Sequence, residues 1–203
     1  MPHVVLRLYT DASELIGKIR DSEAEVRELL GSIPGFRAYA IVDTVGGGAL
    51  STTACDDKAG CDESSRRAAE WVRTNLPNAK IAPPQVIEGE GVFRIEHRVT
   101  AEPPHVVVRL FGAPVPTFVR EGEAEIREVM QAIPGFRAYS VIDTGIAGVS
   151  VIACDDKAST DEVGRRMGAW VEAKSPGVTR TPAQVIEGEG VFRFTAADVA
   201  APT

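Results

Sequence analysis

The sequence predicts an α+β fold with two tandem ferredoxin-like units of the βαββαβ type, and two observations carry this prediction. The first is an internal repeat. Residues 33–39 return unchanged as 133–139, and QVIEGEGVFR occurs at both 85–94 and 184–193. The second is that both copies alternate strand-like and helix-like apolar patterns in the same order. Identity over such lengths indicates the duplication of one unit.

The strands of the first copy are short apolar or β-branched runs, at residues 4–9, 36–44, 49–55 and 92–95. Two helices are expected between them. One begins at about Ser22, where Ser22 and Glu25 form a capping box, and Pro34 ends it. The other covers residues 63–76, in which small and apolar residues recur at helical spacing. The second copy repeats this order with a shorter connection after its first strand.

The repeats are predicted at residues 1–98 and 105–197, with a linker at 99–104 and a C-terminal tail at 198–203. A ferredoxin-like unit covers only one face of its sheet with helices, so the other face needs a partner. Because the second copy supplies an equivalent sheet, we expect the two antiparallel sheets to pack face to face as a single-chain barrel. The chain would then be a monomer that acts as a pseudo-dimer, and higher assembly stays open.

The composition narrows the function classes. The chain has 22 basic and 29 acidic residues, with no basic stripe for a phosphate backbone, which argues against nucleic-acid binding. No secretory leader is visible, and every apolar run is too short to span a membrane. The three cysteines form no CxxC pair, so neither a disulfide framework nor a zinc site is expected. We therefore expect a reduced, cytoplasmic protein without a metal or cofactor.

Polar side chains recur on one predicted face of the strands. Strand alternation places them on the side turned away from the helices. These candidate ligand-binding residues are Arg7, Arg37, Tyr39 and Asp43 in the first copy and Arg109, Arg137, Tyr139 and Asp143 in the second. Arginine forks bind carboxylates, and tyrosine offers a flat apolar surface with a hydroxyl group. The alternative is that these groups form cross-strand ion pairs that join the sheets without a ligand.

Histidine and tryptophan side chains are weaker candidates. His3 and His105 lie at predicted strand ends, where we expect them to be exposed. Trp71 and Trp170 lie near the apolar face of the second helix, which favours a core role. Neither pair defines a catalytic site.

The repeated motifs carry a family resemblance. PGFRAY…DT, a glycine turn, a strand ending in CDDK, a helix with RxxxxWV and then PxQVIEGE recur in both copies. Together they resemble small bacterial ferredoxin-like proteins of the dimeric α/β-barrel superfamily, which includes antibiotic-biosynthesis-monooxygenase-like proteins. The resemblance implies paired sheets. Asparagine occurs only as Asn75 and Asn78, so no catalytic residue of those enzymes is carried over.

Three functions stay open at this point. The first is binding of a small anionic or aromatic molecule in or beside the space between the sheets. The second is a cofactor-independent monooxygenase or isomerase acting on an aromatic or polyketide-like substrate, with a tyrosine or histidine in proton transfer. The third is a structural or interaction module without a ligand. The residues leave open whether the protein is an enzyme, because fold alone does not give function.

Overall fold

A computed structural model describes residues 1–177 and 181–200. The first repeat forms β1 (His3–Tyr9), α1 (Ser13–Asp21), α2 (Glu23–Gly31), β2 (Phe36–Thr44), β3 (Gly48–Cys55), α3 (Lys58–Asn75) and β4 (Gln85–Glu96). The second repeat forms β5 (His105–Phe111), α4 (Thr117–Glu121), α5 (Glu123–Gln131), β6 (Phe136–Asp143), β7 (Gly148–Cys154), α6 (Lys157–Lys174), β8 (Gln184–Thr195) and α7 (Ala196–Ala200).

The chain divides into two compact units that do not follow the repeat boundaries. The first unit contains residues 1–90 and the segment from Gly190 onward, and the second contains residues 91–189. Both divisions fall in the middle of a strand. The first half of β4 therefore belongs to the first unit and its second half to the second unit, and β8 is divided in the opposite sense.

Each unit contains an antiparallel sheet of the same order. In the first unit β1 pairs with β3 on one side and with the first half of β4 on the other, and β3 also pairs with β2. In the second unit β5 pairs with β7 and with the first half of β8, and β7 pairs with β6. The complete hydrogen-bonded order is closed, β1-β3-β2-β8-β5-β7-β6-β4. The predicted fold class, an α+β chain of two ferredoxin-like units with a barrel strand order, is confirmed.

The prediction of which side chains lie under the helices is wrong. A register shift separates Phe36 from Ala38, so Arg37 occupies a bulge and strict alternation fails at that point. Phe36 and Tyr39 consequently share a side, and both are buried in the core beside helical residues such as Leu15. The face with Tyr39 and Arg7 is therefore the helix-covered face, not the opposite one. The second copy has the same shift between Phe136 and Ala138.

The helix boundaries also differ from those predicted. The segment after β1 already forms α1, and Ser22 makes no side-chain cap at the start of α2, so the predicted capping box is wrong. The long helices α3 and α6 begin earlier than expected because Asp57 and Asp156 cap their N-termini. The Asp57 side chain accepts from the backbone N–H of Gly60 at 2.9 Å, and the Asp156 side chain accepts from that of Ser159 at 2.8 Å. Among the described residues, no helix combines the length and apolar character that crossing a membrane requires.

Candidate functional site

The second unit encloses a cavity of about 340 Å³ between its sheet and its helices. Three of its polar groups lie on neighbouring strands, Arg109 on β5, Tyr139 on β6 and Ser150 on β7, and Glu172 on α6 also lines it. Directly paired residues of neighbouring strands, and alternate residues of one strand, lie on the same side of a sheet. Arg109 and Val141 both pair with Ser150, and Tyr139 lies two residues before Val141, so the three polar groups share the helix-facing side. Most of the remaining lining is apolar and includes Phe111, Val115, Val119, Val141, Ile152 and Met167.

The equivalent space in the first unit is almost filled, with a volume of about 30 Å³. Leu15 and Ile19 line it, where the second copy has the smaller Val115 and Val119. Trp71 also lines this small space. Larger side chains at matching positions therefore account for part of the difference in volume.

The two tryptophans have different surroundings. Trp71 lines the small space of the first unit, and its indole nitrogen is buried without a hydrogen-bond partner among the described residues. The Trp170 indole instead donates to Glu125 Oε2 at 3.1 Å, and its ring lies over Gly122. A Cβ atom at Gly122 would be 2.5 Å from Trp170 Cζ2, so this ring position requires glycine. The first copy has Ser22 at the matching position.

The guanidinium of Arg7 in the first unit makes four hydrogen bonds. It donates to Thr53 Oγ1 at 3.1 Å and to Ser64 Oγ at 2.6 Å. It also donates to Ser65 Oγ, from Nε at 3.2 Å and from Nη2 at 2.7 Å. Only 2% of Arg7 is exposed, so these hydroxyls take the place of water around a buried cation.

Arg109 of the second unit occupies the matching position without those partners. The second copy has Ile152 for Thr53, Val163 for Ser64 and Gly164 for Ser65, so all three hydroxyls are absent. Within residues 1–177 and 181–200, the Arg109 guanidinium makes no hydrogen bond or ion pair, and it lines the cavity. Burial lowers the pKa of Arg109, with Tyr139, Asp161 and Glu187 acting in the opposite direction.

The phenol of Tyr139 is fully buried beside Arg109. Burial raises the pKa of Tyr139 to about 12, and the nearby Arg109 and the Ser150 hydroxyl only partly offset this effect. The group is therefore a neutral phenol at neutral pH. It can donate a hydrogen bond into the cavity, but it is a poor general base.

Six of the eight predicted site residues lie away from the cavity. Two of them, Arg7 and Tyr39, are buried in the first unit, and the other four each contact a charged side chain. Arg37 is exposed and its Nε lies 2.6 Å from Asp56 Oδ1. Asp43 lies 3.9 Å from Arg20. Arg137 and Asp143 are buried, the former against Asp155 at 2.6 Å and the latter against Arg120. Each therefore has a structural partner, and a role in ligand binding stays a prediction for these four.

The expectation that the histidines are exposed is wrong for His105. It is buried, and its Nδ1 lies 2.9 Å from the Thr160 hydroxyl. His3 is partly buried and lies 3.9 Å from Glu88. Trp71 and Trp170 are buried core residues, as predicted. Within the described part of the chain, no group of three or more metal-ligating side chains comes together.

Comparisons with known proteins show a shared fold. An anthrone oxidase-like protein is 17% identical, with a TM-score of 0.57 over 100% of this chain and 96% of its own. A proposed monooxygenase from Fusobacterium nucleatum is 10% identical, with a TM-score of 0.63 over 96% and 94%. One from Lactobacillus acidophilus is 11% identical, with a TM-score of 0.62 over 96% of each chain. No family model and no curated protein matches the sequence.

These structures confirm the resemblance predicted from the repeated motifs. The chain shares its α+β fold with the anthrone oxidase-like protein and with the two structures named as monooxygenases. At identities of 10 to 17%, the likeness concerns the fold alone. The function must therefore be argued from the cavity.

Proposed function

We propose that this protein binds a small molecule with an apolar, ring-containing body in the cavity of its second unit. The observation that carries this proposal is the difference between matching spaces, about 340 Å³ in the second unit and about 30 Å³ in the first. Known ligand pockets begin at about 300 Å³ and combine apolar walls with a few polar groups. An apolar cavity of about 150 Å³ accommodates benzene, so this larger space suits a two-ring body.

The cavity lining supports a ligand that is mainly apolar. Phe111, Val141, Ile152 and Met167 provide aromatic and aliphatic contacts, and Tyr139 adds a ring with a hydroxyl group. Arg109 is the charged group at the sheet side. This location, between sheet and helices within one unit, replaces the space between sheets as the proposed site.

The test is to fill the cavity with the residues of the first copy. In Val115→Leu with Val119→Ile, added methylene groups occupy the space in which the ligand body would lie. We expect the unmodified protein to bind members of a panel of one- and two-ring aromatic compounds, neutral and acidic, in calorimetric titrations. The filled variant should bind them at least about tenfold more weakly.

The matched control is Leu15→Val with Ile19→Val, which changes the equivalent positions of the first unit. Binding should be unchanged in this control. If no compound of the panel bound, or if the filled variant bound as tightly as the original, the proposal would be refuted. The third function, a structural module, would then be favoured.

A cofactor-independent oxygenase or isomerase is the second candidate, because Tyr139 presents a phenol to the same cavity. Because burial raises its pKa to about 12, the phenol is protonated at neutral pH, so its part in such a reaction would be that of a hydrogen-bond donor or weak acid and not of a base. Oxygen consumption with electron-rich phenols, compared between the original protein and Tyr139→Phe, tests this candidate. Turnover that Tyr139→Phe abolishes would support it, and binding without turnover would leave a binding protein.

A further inference from the structure

We infer that the cavity ligand is a carboxylate on an apolar body, and that Arg109 is the residue that selects it. This inference rests on the proposed function and adds the chemical class of the ligand. It starts from the contrast between two arginines at matching strand positions. Arg7 has three hydroxyl partners, whereas the corresponding residues around Arg109 are Ile152, Val163 and Gly164.

Among the described residues, the surroundings of Arg109 do not supply a substitute hydrogen-bond or ion-pair partner. Asp161 and Glu187 are the acidic groups that act on it, and both lie against Lys157, at 3.0 and 3.5 Å. Glu172, which also lines the cavity, accepts from the backbone N–H of Gly177 at 3.1 Å. Among the residues that the structure describes, none of these carboxylates lies within ion-pair distance of the guanidinium. A half-buried cation without a direct ion-pair partner is complementary to an anionic ligand.

The shape of the site favours a carboxylate. A guanidinium presents parallel N–H donors that match the two oxygens of a carboxylate, and such pairs are strengthened by apolar walls. Gly164 contributes space, because a Cβ atom there would lie 2.9 Å from Arg109 Nη2. The neutral Tyr139 phenol can supply a further donor at the same end of the cavity. Apart from Ser150 and Glu172, the remaining walls are mainly apolar, so one anionic group with a ring-containing body fits this arrangement.

The experiment compares 2-naphthoate with 2-naphthamide, which have nearly the same shape but differ in charge. In calorimetric titrations of the full chain, we expect the acid to bind about 10- to 100-fold more tightly than the amide, as for hydrogen bonds to charged groups. Arg109→Met should remove this preference while leaving binding of the amide within about threefold.

A second variant keeps the arginine and gives it back the hydroxyls of the first copy. This triple variant combines Ile152→Thr, Val163→Ser and Gly164→Ser. Its Arg109 guanidinium should donate hydrogen bonds to the three new hydroxyls, as Arg7 does in the first unit. The preference for the acid should then fall by at least about tenfold. This variant keeps the positive charge of Arg109 and occupies its N–H donors. It therefore tests whether the acid is preferred because those donors are free or only because the site is positively charged.

The outcomes distinguish the inference from the proposed function. Equal binding of acid and amide, both abolished by Val115→Leu with Val119→Ile, would overturn the inference and leave the cavity proposal standing. A preference for the acid that persists in Arg109→Met would also overturn the inference, since the anion would then be bound elsewhere. If neither compound bound, the inference would fail, and the cavity proposal would fail with it only if the rest of the aromatic panel also did not bind.

Discussion

The two units use the same strand positions for different purposes. In the first unit the helix-facing side of the sheet is closed, since Arg7 is bound to three hydroxyl groups and Leu15, Ile19 and Trp71 fill the space. In the second unit the matching arginine lines an open cavity. The backbone pairings of Arg7 with Ser51 and of Arg109 with Ser150 are equivalent. A few side-chain differences, rather than a different fold, thus separate a filled core from a candidate binding site.

The largest expected difference between the units concerns their arginines. Arg7→Met removes the donor of several charge-assisted hydrogen bonds and leaves buried hydroxyls without it, so we expect a loss of about 2–4 kcal/mol in the free energy of unfolding. Arg109→Met removes no such bond and should change that free energy by less than about 1 kcal/mol. Urea unfolding of both variants measures the contrast. Equal losses would mean that Arg109 has a structural partner after all.

A smaller effect is expected where Trp170 lies over Gly122. In Gly122→Ala the new Cβ would approach ring carbons at 2.5 and 2.6 Å, so the indole must move, at a cost of about 1–3 kcal/mol. We expect the ring to turn toward the cavity, as Trp71 does in the first unit, and to lose its bond to Glu125. In a Trp71→Phe background, the tryptophan emission should shift to shorter wavelength.

The control for this change is Ser22→Ala at the matching position of the first unit. Ser22 makes no side-chain cap, so neither stability nor emission should change appreciably. An unchanged emission spectrum in Gly122→Ala would show that glycine is not what holds the Trp170 ring outside the cavity.

The smallest effect is a pH dependence carried by Tyr139. Burial raises its pKa to about 12, so the folded state holds the phenolic proton more tightly than the unfolded chain, whose pKa is about 10. This contribution to stability is complete below pH 10 and is lost as the pH rises toward 12. Tyr139→Phe should therefore reduce the fall in stability between pH 9 and pH 11 by about 1 kcal/mol. Parallel stability curves for the two proteins over that range would contradict it.

The elements of the site were predictable, but their orientation was not. Arg109 and Tyr139 stood out as polar positions in apolar strands, and both line the cavity. Strict alternation counted from Phe36 predicted that Tyr39 faces away from the helices. The bulge at Arg37 reverses this orientation, and no residue pattern in the sequence indicates the bulge. The importance of Gly164 and Ile152 was also missed. A position-by-position comparison of the two copies would have found them, since each replaces a hydroxyl residue.

The sequence by itself determined the duplication, the order of the strands and the α+β class, because repeats and hydrophobic periodicity are local properties of the chain. The tertiary structure decided which side of each strand the helices cover, how β4 and β8 are divided between the units, and which unit keeps a cavity. These properties depend on whether side chains distant in sequence fill a shared space. Arg7 and Arg109 stand in equally apolar strands, and only the residues packed above them determine that one is a core group and the other faces an open cavity.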